Sequence, residues 1–210
     1  MRQLLPFPKL LVCLPFLTMA LFGQTMDPPL DRKAWVVNQT LGPASLAGGL
    51  FSSGLSTWRD KPVEYDTHWT GFGQRYGMRM TGIATQNIME ASLGAMIHED
   101  PRYRKAGGSV KHRLVSVMKQ TALAQRSDGT YTPAYARYAA ITGGNFLSNA
   151  WRPDSEATAS GAILRTGYGF LGRMAGNAFG EFGSDLWRLV RRKSSRQTGV
   201  ADSSGSGYDF

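Results

Sequence analysis

Six glycines in the last helical stretch constrain this chain more than any motif it carries. With each residue turning the helix by about 100°, Gly161, Gly169, Gly172, Gly176, Gly180 and Gly183 fall within an arc of about 100°. One side of that helix is nearly bare backbone. Each glycine costs roughly 1 kcal/mol relative to alanine inside a helix, so six of them require a neighbour that approaches closely enough to compensate. Small residues on the first stretch (Ala47, Gly48, Gly49, Gly54) and on the second (Gly71, Gly73, Gly77, Gly82) suit such an approach. The expected fold is therefore all-α, a compact bundle of about five helices with glycine-mediated close packing.

Caps and breakers divide the bundle. LGPASLAGGLFSSGLSTW has Pro43 placed for a first helical turn, with Leu46, Leu50 and Leu55 at near-helical intervals. Trp69 to His98 spaces Phe72, Tyr76, Met80, Ile83 and Ile88 in a helical rather than an alternating pattern. Pro101 ends that helix, and Gly107 and Gly108 permit a reversal. Ser109 is an N-cap for a helix from Val110 to about Arg126, with Leu114, Val117, Met118 and Leu123 as its apolar stripe. After the Ser127-Asp128-Gly129 turn, Thr132 and Pro133 read as the cap and first position of a helix to about Trp151. The glycine-rich helix follows, with a helical domain spanning 41–193. Residues 194–210 read as a disordered Ser/Gly-rich tail.

Leu10 to Phe22, behind Arg2 and Lys9, is an apolar run shorter than the roughly 20 residues of a membrane span. Residues 1–23 are expected to be a secretory signal peptide, and 24–40, with Pro28 and Pro29, an extended leader. The protein is then exported, to the periplasm or outer envelope. Cys13, the only cysteine, lies in the signal segment, so the remaining body can form neither a disulfide nor a thiolate metal site. Removing Arg2 and Lys9 lowers the formal charge of +9 by two, to +7. Outside the cytoplasm such a basic balance favours anionic lipid head groups or an envelope polymer, and not nucleic acid.

The stretch HEDPRYRKAGGSVK, residues 98–111, places His98, Glu99 and Asp100 side by side. Consecutive helical residues point about 100° apart, so the three do not converge on a metal, and HExxH spacing is absent. Asp100 is expected to pair with Arg102 or Arg104, or to cap the turn. Arg102, Arg104, Lys105, Lys111 and Arg113 surround Gly107 and Gly108 at a helix start, where unpaired N–H groups attract anions; these seven residues are candidate anion binders. Whether His68, His98 and His112 meet in space is open from spacing alone. GxSxG, P-loop and dinucleotide motifs are absent, and GFGQRYG at 71–77 lacks a βα context. No metal or cofactor is implied. At the end of the last helix, Trp187 stands among Arg188, Arg191, Arg192 and Lys193, a combination suited to an anionic membrane surface.

FGQRYGMRM, HEDPRYRKAGG, RSDGTYTP and NAWRPDSEAT together resemble a family of exported, mostly helical bacterial envelope proteins with a DPRY turn. The resemblance covers roughly residues 69–193 and implies a bacterial envelope location without a known activity. The functional expectation is a non-enzymatic envelope protein that associates with an anionic membrane surface or envelope partner. The alternatives are an enzyme acting on an envelope lipid or glycan, with His98 and Asp100 as acid/base candidates, or a binding protein for an anionic small molecule.

Overall fold

Short side-chain caps and prolines start most of the helices. The computed structural model describes residues 30–202, with side chains to Arg188 and at Arg191. Asp31 accepts from the Ala34 N–H (2.9 Å) and opens α1, Arg32–Leu41. Pro43 occupies the first turn of α2, Pro43–Trp58, where its missing N–H is no loss. A loop over 59–68 leads to α3, Trp69–Met96. β1 (Glu99–Asp100) precedes α4 (Val110–Ala122), whose cap Ser109 accepts from the His112 N–H. β2 (Leu123–Arg126) and β3 (Tyr131–Pro133) join β1 in a three-stranded antiparallel sheet ordered β1-β2-β3. Its register sets Glu99 opposite Arg126 and Ala124 opposite Thr132. α5 (Tyr135–Leu147) ends in a 3-10 turn at Ser148–Ala150, and α6 runs Ala159–Asp202.

The all-α expectation holds, with a small sheet added. Four boundaries are corrected. The leader assigned to 24–40 is helical from Arg32, because Trp35 and Thr40 are buried, Thr40 in a 3.0 Å bond from Asn87. The helix expected to reach Arg126 stops at Ala122, where the chain turns extended to pair with β3. Thr132 and Pro133 are therefore strand residues, and α5 begins at Tyr135. Residues 194–202 of the expected disordered tail continue α6; 203–210, like the signal segment 1–23, lie outside the described residues.

α3 is the central helix, with α1, α2 and α5 against it, while α6 packs on α4 and α5. Glycine-mediated packing is real at specific points. A methyl group on Gly144 would lie 2.6 Å from Gln86 Cγ of α3, and one on Gly49 would lie 3.0 Å from the Tyr76 ring. On α6, however, the cover comes from α5 rather than from the first or second stretch, and it is partial. A methyl on Gly169 would meet Ile141 at 2.7 Å, whereas Gly172 and Gly176 are exposed with nothing within 4 Å.

The interior is lined by small apolar and large polar groups. Ala91, Ala134, Ala136, Ala140 and Ala162 are buried with Trp35, Val117 and Ile141, alongside Arg75, Glu90, Glu99, Arg137, Asn177 and Glu181. Of the expected α4 stripe, Val117 is buried, but Leu114 and Met118 are 49% and 61% exposed. The inward face instead carries Gln120 and Thr121.

Arg75, only 2% exposed, fixes the 59–68 loop against α3. Its guanidinium donates to the carbonyls of Lys61 (2.7 Å), Pro62 (3.1 Å), Tyr65 (2.9 Å) and Asp66 (2.5 Å). A single fork thus satisfies four backbone acceptors that otherwise have no regular ladder. Arg75→Met, which keeps the stem but removes the donors, is expected to destabilise the fold by about 3 kcal/mol or more, and Arg75→Lys to rescue less than half of that, because one ammonium cannot reach four acceptors. Urea unfolding midpoints measure both; a parent-like midpoint for Arg75→Met would show that the clasp is dispensable.

Candidate functional site

The stretch HEDPRYRKAGGSVK resolves into a chain reversal in which Glu99, Asp100, Arg102 and Arg104 each have a defined structural partner. His98 ends the α3 turn in the left-handed region at φ 60°. Glu99, 3% exposed, accepts from the Tyr135 and Ala136 N–H groups (3.1 Å each), so its carboxylate sits at the N-terminus of α5, where the helix dipole favours negative charge. Its carbonyl accepts from Arg32 Nη2 at 3.0 Å. Asp100 accepts from the Arg102 N–H (2.9 Å), Arg102 Nη2 (2.7 Å) and Arg104 Nη2 (3.1 Å), the pairing the sequence suggests. Partial burial pushes the Asp100 carboxyl up, but the hydrogen bonds from Arg102 and Arg104 outweigh it and hold the group below its ordinary range.

The glycine turn that follows is an anion nest, and its anion comes from the chain itself. Gly107 and Gly108 adopt φ of 63° and 81°, a left-handed pair that glycine takes without strain. The Ala106 and Gly107 N–H groups donate to Glu181 of α6 at 3.0 and 3.3 Å. Tyr103 Oη donates to the same carboxylate at 2.8 Å, and Arg113 Nε at 2.7 Å. Arg113 also binds Asp185 (2.7 Å) and stacks over Phe182 at 4.2 Å. Burial pushes the Tyr103 phenol up, helped by the hydrogen bond to Glu181, to about 12. Burial would raise Glu181 too, but four donors overcome it and take the carboxyl down to about 2.

The seven anion-binding candidates therefore divide. Gly107 and Arg113 hold Glu181 and Arg102 and Arg104 hold Asp100, while Lys105, Gly108 and Lys111 are exposed. The position assigned to an external anion is filled by Glu181. That carboxylate lies 74 residues from Gly107 along the chain, beyond the reach of any local spacing argument.

A second charged cluster, which sequence reasoning missed, lies deeper. Glu90 Oε1 of α3 accepts from Arg137 Nε of α5 (2.9 Å) and Arg173 Nη2 of α6 (2.5 Å). Arg137 donates further to the carbonyls of Gln120 (2.6 Å) and Thr121 (3.0 Å), and Arg173 to that of Pro101 (3.1 Å). Burial lowers the Arg173 guanidinium to about 10, still protonated at neutral pH. Arg173, Asn177 and Glu181 recur every four residues on the inner face of α6, and this i, i+4, i+8 run of polar residues was the available signal.

The three histidines share no site. His68 lies beside Asp66 (3.9 Å), His112 Nδ1 contacts the Gly107 carbonyl (3.2 Å), and His98 is exposed at its turn. Among the described residues no group of three or more His, Cys, Asp or Glu side chains is arranged to hold a metal ion. A cavity lined by Glu90, Gly94, Glu99, Asp100, Pro101, Ala124 and Ala136 is too small to admit a water molecule.

The membrane-surface candidates lie on the outer part of α6. Trp187 is 61% exposed with Arg191 over its ring at 5.6 Å, and Arg188 is exposed beside it. Arg192 and Lys193 continue the same helix. Two exposed tryptophans that the sequence reading left out, Trp58 (81%) and Trp69 (85%), flank the loop that Arg75 clasps. No helix among the described residues is long and apolar enough to cross a membrane. Comparison with protein-family models, curated proteins and solved structures gives no match.

The Glu181 clasp makes acid stability predictable. Its folded value, about 2, lies below the ordinary 4.5, so its stabilisation is complete above about pH 5 and is lost as pH falls through about 4.5 toward 2. Glu181→Gln is expected to lose on the order of 3 kcal/mol at pH 7 and to flatten the decline below pH 4.5. Denaturant titrations at pH 3 and 7 measure the difference; equal losses at both would remove the carboxylate's role.

Proposed function

We propose that this protein is a non-enzymatic component of the bacterial envelope, a helical bundle that associates with an anionic membrane surface through the basic and aromatic end of α6. The observation that carries the reading is Trp187 on the outside of α6 with Arg188 and Arg191 around it. An indole is amphipathic and favours the head-group level, and each base near an anionic leaflet contributes about 1 kcal/mol, falling off within a Debye length. The five cations from Arg188 to Arg196 all precede the last turn of α6, so they do not serve to balance its dipole.

Further support comes from the surface as a whole. Phe51, Trp58, Trp69 and Met96 are each at least 75% exposed, large apolar side chains left on the surface. The apolar run Leu10 to Phe22 behind its two bases, and the resemblance carried by the DPRY turn, support an envelope location.

Sedimentation with vesicles containing an anionic phospholipid tests the proposal. Binding is expected to weaken as salt rises, and to fall at least tenfold when Arg188, Arg191, Arg192 and Lys193 are changed together to glutamine. Equal binding to zwitterionic vesicles, or retention after the fourfold change, would place the contact elsewhere.

A further inference from the structure

The outer face of α6 carries two features with a common repeat. Leu164, Tyr168 and Leu171 recur eleven residues later as Ala175, Phe179 and Phe182, and the first position recurs again as Leu186. At about 100° per residue these seven fall within about 80° of arc, a single ridge on the side opposite Arg173 and the buried Asn177, with Phe182 half covered by Arg113. Leu164, Tyr168, Leu171, Phe179 and Leu186 are 55–62% exposed. Beside the ridge runs a shallow groove, floored by Gly172 and Gly176, both exposed and with open space where a methyl group would stand. Gly161, Gly172 and Gly183 repeat the same eleven-residue spacing.

An eleven-residue repeat is 3.67 residues per turn, close to the 3.6 of an undistorted helix, so the ridge stays on one face with only a slight right-handed drift. In a parallel pair related by a two-fold axis along the helices, the ridge flank of each copy faces the groove flank of the other. The surface is thus complementary to itself, as an isologous interface requires. From Leu164 to Leu186 it extends about 33 Å, and with a helix width of about 10–12 Å its flat footprint is about 350 Å² per copy. At about 700 Å² for the two copies together, the contact is smaller than a stable interface needs and suits a weak, reversible rather than an obligate dimer.

We propose that two copies of this chain associate through this face, α6 against α6 in parallel, with the Leu164–Leu186 ridge of each seated on the Gly172–Gly176 groove of the other. This goes beyond the membrane reading and does not depend on it, since it uses the apolar ridge and glycine groove that precede Trp187 and none of the bases from Arg188 onward.

The groove gives a selective test, because Gly172 and Gly176 are exposed and a Cβ added at either meets nothing within 4 Å. Sedimentation velocity of the full chain from about 5 to about 500 μM is expected to show a monomer–dimer equilibrium, and Gly172→Leu with Gly176→Leu to weaken it at least tenfold without lowering the thermal midpoint. Should those variants misfold, cross-linking still decides. With Cys13→Ser, Tyr168→Cys is expected to form an intermolecular disulfide under mild oxidation in the otherwise unchanged protein. A chain monomeric throughout this range overturns the proposal. So does association that survives the leucines, which assigns it to the apolar run at Leu10 to Phe22 or to another surface. A cross-link formed only when Tyr168→Cys chains are mixed with Phe182→Cys chains overturns the parallel arrangement.

Discussion

The bundle depends on one buried carboxylate. Glu90 receives Arg137 from α5 and Arg173 from α6, and those two guanidiniums reach onward to the carbonyls of Gln120, Thr121 and Pro101. Trp35 of α1 lies under Arg173 at 5.3 Å, so five helices meet at this point. Two cations against one anion leave an excess positive charge inside, which would be costly if only the carboxylate answered it. The carbonyl dipoles complete the neutralisation, and Asn177 bonds Thr121 (3.0 Å) close by. A guanidinium fork satisfies its donors in few orientations, so the cluster fixes how the helices cross more sharply than alanine contacts could.

The rest of the structure repeats that device. Arg75 gathers a loop, Glu99 caps α5, Arg32 reaches the carbonyls of Ala91, Gly94 and Glu99, and Glu181 closes the glycine turn. Each is a long side chain from one element satisfying backbone groups of another, and each buries a polar rather than an apolar body. This explains why the buried apolar residues are mostly alanines: helices drawn together by such clasps approach too closely for larger side chains.

What the sequence made legible divides along the same line. Helix starts at Pro43, Trp69 and Val110, the break at Pro101 and the Asp100 pairing follow from local chemistry, where the responsible residues lie within a few positions of one another. The strands escaped because two to four residues carry no period, and Thr132-Pro133 imitates a helix start when its strand partner Leu123–Ala124 is unknown. α1 escaped because its anchor is distant, Thr40 meeting Asn87. The donors of the anion nest were readable, Gly107 and Arg113 among them, and the acceptor was not, since nothing local connects Glu181 to them.

Periodicity located the faces of α4 and α6 but not their direction. Leu114 and Met118 lie on a helical stripe, yet they point outward while Gln120 and Thr121 point in. A hydrophobic stripe marks the buried side only where apolar burial is what holds the helix; here directional clasps hold the opposite side, and the stripe is left on the surface. The glycines of α6 divide in the same way. At Gly169 the neighbour Ile141 requires a missing side chain, but at Gly172 and Gly176 alanine would fit and would favour the helix by about 1 kcal/mol each. A single copy of the chain would gain from those changes, and only a body approaching from outside would lose, so monomer stability and association act on these two positions in opposite directions.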